Sequence, residues 1–122
     1  MESVSNVDKL ESIKSLQSTI NKLENAAAQM TQNGANTTLV KKRLKAVYIS
    51  LAVLENVWSQ CPHHYTQEEL AEARKVITGL LSSVKSSYAK SKTGSPQRTL
   101  LERRIKALQL SIQAIDKFSD IY

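Results

Sequence analysis

Cys61, Pro62, His63 and His64 put a thiol and two imidazoles into one short stretch. Thiolate sulfur and imidazole nitrogen are zinc ligands, and Glu68 or Glu69 lies close enough in the chain to add a carboxylate. A structural zinc site normally takes four ligands in a recognisable spacing, and the chain has one Cys and two His in all. A second chemistry would pair Cys61 as nucleophile with His64 as base. That pairing needs a third group to orient the imidazole, and no residue in the pattern supplies it. No Gly-rich phosphate loop, Gly-x-Ser-x-Gly or His-Glu-x-x-His is present either. No catalytic residue, metal site or cofactor is therefore expected. Cys61 reads as a buried residue at the end of a helix, and the two histidines as exposed turn residues.

The other chemically loaded group is cationic. Lys41, Lys42, Arg43 and Lys45 crowd one stretch; Lys90, Lys92, Arg98, Arg103 and Arg104 crowd another. The formal net charge is +6. Clustered ammonium and guanidinium groups attract phosphates, anionic lipid or an acidic protein surface. Base-specific reading would need amide or aromatic side chains among them. Only Tyr88, with Gln32, Asn33 and Asn36 in a nearby loop, offers that chemistry.

What holds these groups is helical. Of the chain's residues, 41% are hydrophobic and 23% charged, which is ordinary for a folded protein. Three Gly and two Pro leave room for few turns, so a few long elements are expected. No run of about 18 apolar residues exists to span a membrane. The first nine residues lack the pattern of a signal peptide, so a cytoplasmic location is expected.

Ile13, Leu16, Ile20, Leu23, Ala27 and Met30 recur at spacings of three and four, predicting helix one over 6–31. Ser5 with Asp8 resembles a capping box. Gly34 can stop the helix, and Thr37 or Thr38 can cap the next. Helix two, 38–61, is the most apolar. Its seam runs through Val40, Leu44, Val47, Leu51, Leu54, Trp58 and Cys61, and Pro62 ends it. Thr66 with Glu69 forms a capping box that opens helix three, 67–91. Leu70, Ala73, Ile77, Leu80 and Val84 are its seam. Gly79 inside it suggests a close neighbour, or failing that a kink. Ser95 and Pro96 open helix four, 96–120, with Leu101, Ile105, Leu108, Ile112 and Ile115 facing inward.

Four such helices with short connections predict an all-α, antiparallel up-down-up-down four-helix bundle in a single domain spanning 1–122. In that topology the first and third loops share one end. All nine basic residues named above would then face anions from that end, and most carboxylates would lie at the other. Ile49, Val53 and Leu110 fall off the predicted seams. Exposed together, Ile49 and Val53 would mark a partner face or a homodimer surface.

In size, charge and helix count the chain resembles the small basic four-helix immunity proteins that protect bacteriocin producers. The likeness carries over no functional residue. The expected function is that of a small non-enzymatic bacterial protein that binds a protein partner, through the outer face of helix two or through the basic end. The alternative is a binder of nucleic-acid phosphate backbone or anionic membrane.

Overall fold

Each helix begins where a short polar side chain meets N–H groups that have no carbonyl partner in their own helix. The computed structural model describes residues 3–119, and these form four helices: α1 (Asn6–Gln32), α2 (Thr38–Ser59), α3 (Gln67–Lys90) and α4 (Pro96–Ser119). Ser5 Oγ accepts from the Asp8 N–H at 3.1 Å and starts α1. Asn36 Oδ1 accepts from the Thr38 N–H at 2.9 Å and starts α2, while the Thr37 hydroxyl makes no cap bond. Thr66 and Glu69 exchange two bonds of 3.1 Å, a complete capping box on α3. Ser95 Oγ accepts from the Arg98 N–H at 3.2 Å beside Pro96 in the first turn of α4. Residue 120, the expected end of helix four, lies outside the described residues.

Polar pins fix the direction of each neighbour. Along α1 and α2, Lys9 lies over the Trp58 ring and the Tyr48 hydroxyl donates to Glu24 at 2.6 Å. Numbers rise on one helix as they fall on the other, so the two run in opposite senses. Arg74 with Asp116, and Tyr88 with Glu102, do the same for α3 and α4. The chain is thus an all-α four-helix bundle. Its core is one continuous cluster, with Leu16, Val47, Leu54, Ile77, Leu108 and Ile115 fully buried.

The bundle is not square. α2 and α4 each touch the other three helices, whereas α1 and α3 do not meet among the described residues. Both helices of the α2–α4 diagonal carry small buried side chains. Ala46 and Ser50 on α2, and Ala107, Ser111 and Ala114 on α4, are all buried. Interhelical distance follows the side chains at the contact, so the α2–α4 diagonal is the short one.

That diagonal overturns one expectation directly. Ile49 is 1% exposed, Val53 0% and Leu110 5%. They are core, because a helix in contact with three others buries more than one seam. The partner face proposed for Ile49, Val53 and Leu110, and the homodimer surface built on the first two, therefore do not exist on the folded chain.

The second connection also differs from its expected form. α2 ends at Ser59, two residues early, with Gln60 in the left-handed conformation (φ 58°). Pro62 disfavours helical geometry at Cys61, and the Asn56 amide donates to the Cys61 carbonyl at 2.9 Å, covering the frayed end. Cys61 is exposed rather than buried. The chain then returns along α2: Pro62, His63 and Tyr65 share a cleft with Ala52. α3 accordingly starts well up the side of α2, and Lys45 meets Glu69 at 3.2 Å.

Glu69 supplies a pH test of this corner. The Thr66 N–H, then the Lys45 ammonium, hold its carboxyl below the ordinary value of 4.5. A carboxyl with a lowered pKa in the folded state adds stability above its unfolded pKa. That stability is lost as pH falls through the folded value. Thermal melts of the wild type and Glu69→Gln, compared from neutral pH downward, are expected to differ at pH 7 and to converge below pH 4.5. A gap that persists undiminished into acid would contradict the assignment.

Candidate functional site

The nine basic residues do not gather at one end. Arg103 and Arg104 line a cleft with Glu11, Lys14, Ser15 and Ser18, in the first half of α1. From there to the first loop is a further ~21 Å of helix, at ~1.5 Å per residue. Lys41, Lys42 and Arg43 stand next to that loop, so the two groups occupy different ends of α1. On the other side, Leu39 at the start of α2 faces Gly79 and Leu80 of α3. α3 then continues for ~15 Å, carrying Lys90 and Lys92 away from Lys41 and Lys42. The shift of α3 along α2 explains why equal helix lengths misled: loops coincide only when helices pack in register.

Charges are interleaved as a result. Lys45 pairs with Glu69. Arg103 meets Glu11 at 3.6 Å. Arg98 stacks over Tyr88, with its guanidinium carbon 4.0 Å from the ring centroid, and donates to the Ser91 carbonyl at 3.1 Å. That guanidinium closes the end of α3, where carbonyls lack helical partners. Arg98 is committed to structure rather than to a ligand.

The Cys61–His64 stretch does not converge on a ligand. His63 is half-buried, edge-on to Phe118 at 5.0 Å, and its Nδ1 accepts from the Tyr65 N–H at 3.3 Å. It pins the connection to α4, where the sequence suggested a free turn residue. His64 is exposed. Among the described residues no three His, Cys, Asp or Glu side chains stand together as metal ligands.

Two of the clefts among the described residues bear on a candidate site. The first is a groove between α2 and α3. Its floor is apolar: half-buried Val76 above the core residues Ala46, Ile49 and Ala73, around a cavity of about 190 Å³, continued by exposed Leu39 with Gly79 and buried Leu80. Leu39 is 60% exposed at its upper end. The walls differ in sign. Lys42, Arg43 and Lys45 rise from α2, while Glu68, Glu69 and Glu72 rise from α3, followed by Lys75. Gly79 is not explained by the close approach the sequence suggested: a Cβ there would meet nothing within 4 Å. It opens the groove instead.

The second is the α1–α4 cleft of about 330 Å³, where Lys14, Arg103 and Arg104 face a single carboxylate, Glu11, with Ser15, Ser18 and Leu100. The sequence placed Arg103 and Arg104 among anion-facing residues, but did not count Lys14 with them. Nothing in the pattern of α1 alone marks Lys14, Ser15 and Ser18, which become neighbours of α4 only through the register of the pair. Neither Leu39 nor Val76 was singled out by the sequence.

Among the described residues no helix is long and apolar enough to cross a membrane. Comparison with protein-family models, with curated proteins and with solved structures finds no match to this chain.

Proposed function

We propose that this chain is a non-enzymatic interaction module of the cytoplasm that docks an amphipathic helix of a protein partner in the α2–α3 groove. The observation that carries the reading is the groove's cross-section: an apolar floor between a cationic wall and an acidic wall. Helix-in-groove recognition uses apolar anchors at three-four spacing against such a floor. The walls then select the orientation of the guest. Acidic residues on one flank face Lys42, Arg43 and Lys45; basic residues on the other face Glu68, Glu69 and Glu72. The Lys45–Glu69 pair spans the groove but is solvent-exposed on the lysine side. Exposed pairs are worth about 0–1 kcal/mol, so a guest's charges can replace it at little cost.

The test is a displayed library of helical peptides of about sixteen residues, selected against the intact protein and mapped by NMR. Selected sequences are expected to carry an apolar stripe with acidic and basic flanks. Their shift perturbations should run along Leu39, Val76 and Gly79. Leu39→Glu, at an exposed site that does not support the core, is expected to weaken them about tenfold or more, as a desolvated charge does at an interface centre. Selection of no binder, or of binders that map elsewhere and ignore Leu39→Glu, would overturn the reading.

A further inference from the structure

Arg104 is the one described side chain that buries a polar atom without satisfying it. Its Nε has no hydrogen-bond partner among the described residues. A buried unsatisfied donor costs stability, although the side chain as a whole is only half-buried. Burial accordingly lowers its pKa from the usual value. Proteins keep such a group where a ligand completes it or where its aliphatic stem is needed for packing.

The surroundings favour the first. Arg104 shares its cleft with Arg103 and Lys14, and with the hydroxyls of Ser15 and Ser18. Glu11 is the single carboxylate lining it, and it faces Arg103 at 3.6 Å, beyond ordinary hydrogen-bond length. Past Glu11 and Arg103 the cleft runs on to Asp8, Glu102 and Lys106, so the whole region stays net positive by one, four cations against three carboxylates, with the excess on the side of Lys14 and Arg104, where five side chains can donate. That set fits a tetrahedral oxyanion, since guanidinium forks and hydroxyls together supply donors in several directions. A carboxylate, planar and with two oxygens, would use fewer of them.

We propose that the cleft between the first half of α1 and the first half of α4 is a phosphate-group site, formed by Lys14, Arg103 and Arg104 with Ser15 and Ser18. It is independent of the α2–α3 groove, which lies on a different pair of helices. Leu100, 58% exposed, borders the cleft. The phosphate can therefore be free in solution or carried on a lipid whose chain meets Leu100, and the test separates the two.

Inorganic phosphate is titrated into the labelled protein at constant ionic strength, with chloride as the reference, while the Arg104 Nε–Hε resonance and the backbone amides of Ser15, Ser18 and Arg103, which persist in every variant, are followed. A saturable downfield shift is expected with phosphate and not with chloride. Arg104→Met should weaken the phosphate response at least tenfold, the loss of a charge-assisted donor. Lys14→Ala, at an exposed position, should weaken it several-fold without touching the fold. In a second arm, vesicles of phosphatidylcholine alone are compared with vesicles containing phosphatidic acid. Response to inorganic phosphate supports a soluble ligand. Response only to phosphatidic acid, lost in Lys14→Ala and Arg104→Met, supports a lipid-borne one. Response to neither, or responses unchanged in both variants, overturns the site.

Discussion

Ile49→Ala is expected to lower the free energy of unfolding by about 3 kcal/mol, within the 2–5 kcal/mol that buried Ile or Leu truncations cost. Ile49 is 1% exposed on a helix that touches three others. Truncation loses the transfer energy of the removed carbons and leaves a void that close-packed neighbours fill only in part. Had Ile49 been a surface residue, the same change would sit within about ±0.5 kcal/mol of zero. The two placements thus differ several-fold in a single denaturant melt. Val53→Ala, at a fully buried site, is expected to cost about 2 kcal/mol. The pair should fall short of additivity, because residues one turn apart share the same cavity. An effect below 0.5 kcal/mol for Ile49→Ala, with an unchanged denaturant slope, would refute the packing described for α2.

Why Ile49 misled is instructive about what a single chain encodes. Period and caps are local properties. Ile13, Leu16 and Ile20 announce α1, and the Thr66–Glu69 box and Ser95–Pro96 announce the starts of α3 and α4 to the residue. Each of these depends on atoms within about one turn. The width of a buried face depends instead on how many helices press upon it. Nothing local to α2 says that α4 will reach it across the diagonal, although Ser111, Ala107 and Ala114 on α4 hint at a close approach. Register is non-local in the same way. The nine basic residues formed one end only under the assumption that four helices of similar length lie level. The Gln60–Thr66 connection breaks it by running back along α2, as the cleft shared by Ala52, Pro62 and Tyr65 records. Lys45 then meets Glu69, and Arg103 meets Glu11. The candidate sites are products of that register. Lys14, Arg103 and Arg104 are brought together by the α1–α4 crossing, and the opposite walls of the groove by the α2–α3 offset. Residue types foretold the cations; only packing chose their partners.

The diagonal itself is open to a strong test at Ser111. Its hydroxyl donates to the Ala107 carbonyl at 2.7 Å. That acceptor already belongs to the helix's own ladder, so losing the hydroxyl leaves no buried group unpaired. Ser111→Ala is therefore expected to change stability by no more than about 0.5 kcal/mol. Ser111→Leu keeps a helix former and adds an apolar side chain, which would stabilise an ordinary half-exposed position. Here Ser111 is fully buried on the helix whose small residues allow α2 to come close. The added carbons have no void to enter and must push α4 from α2 or force strained rotamers, at a cost of about 3 kcal/mol or more. Ser50, also fully buried and bonded back to Ala46 at 2.9 Å, should respond in the same direction. Chemical denaturation of Ser111→Ala and Ser111→Leu side by side decides the matter. If leucine is accommodated as easily as alanine, small side chains are not what lets α2 and α4 meet, and the near contact between them has another cause. If leucine is costly and alanine is not, volume at that crossing sets the shape of the bundle. The α1–α4 register that assembles Lys14 with Arg103 and Arg104 then rests on that volume too.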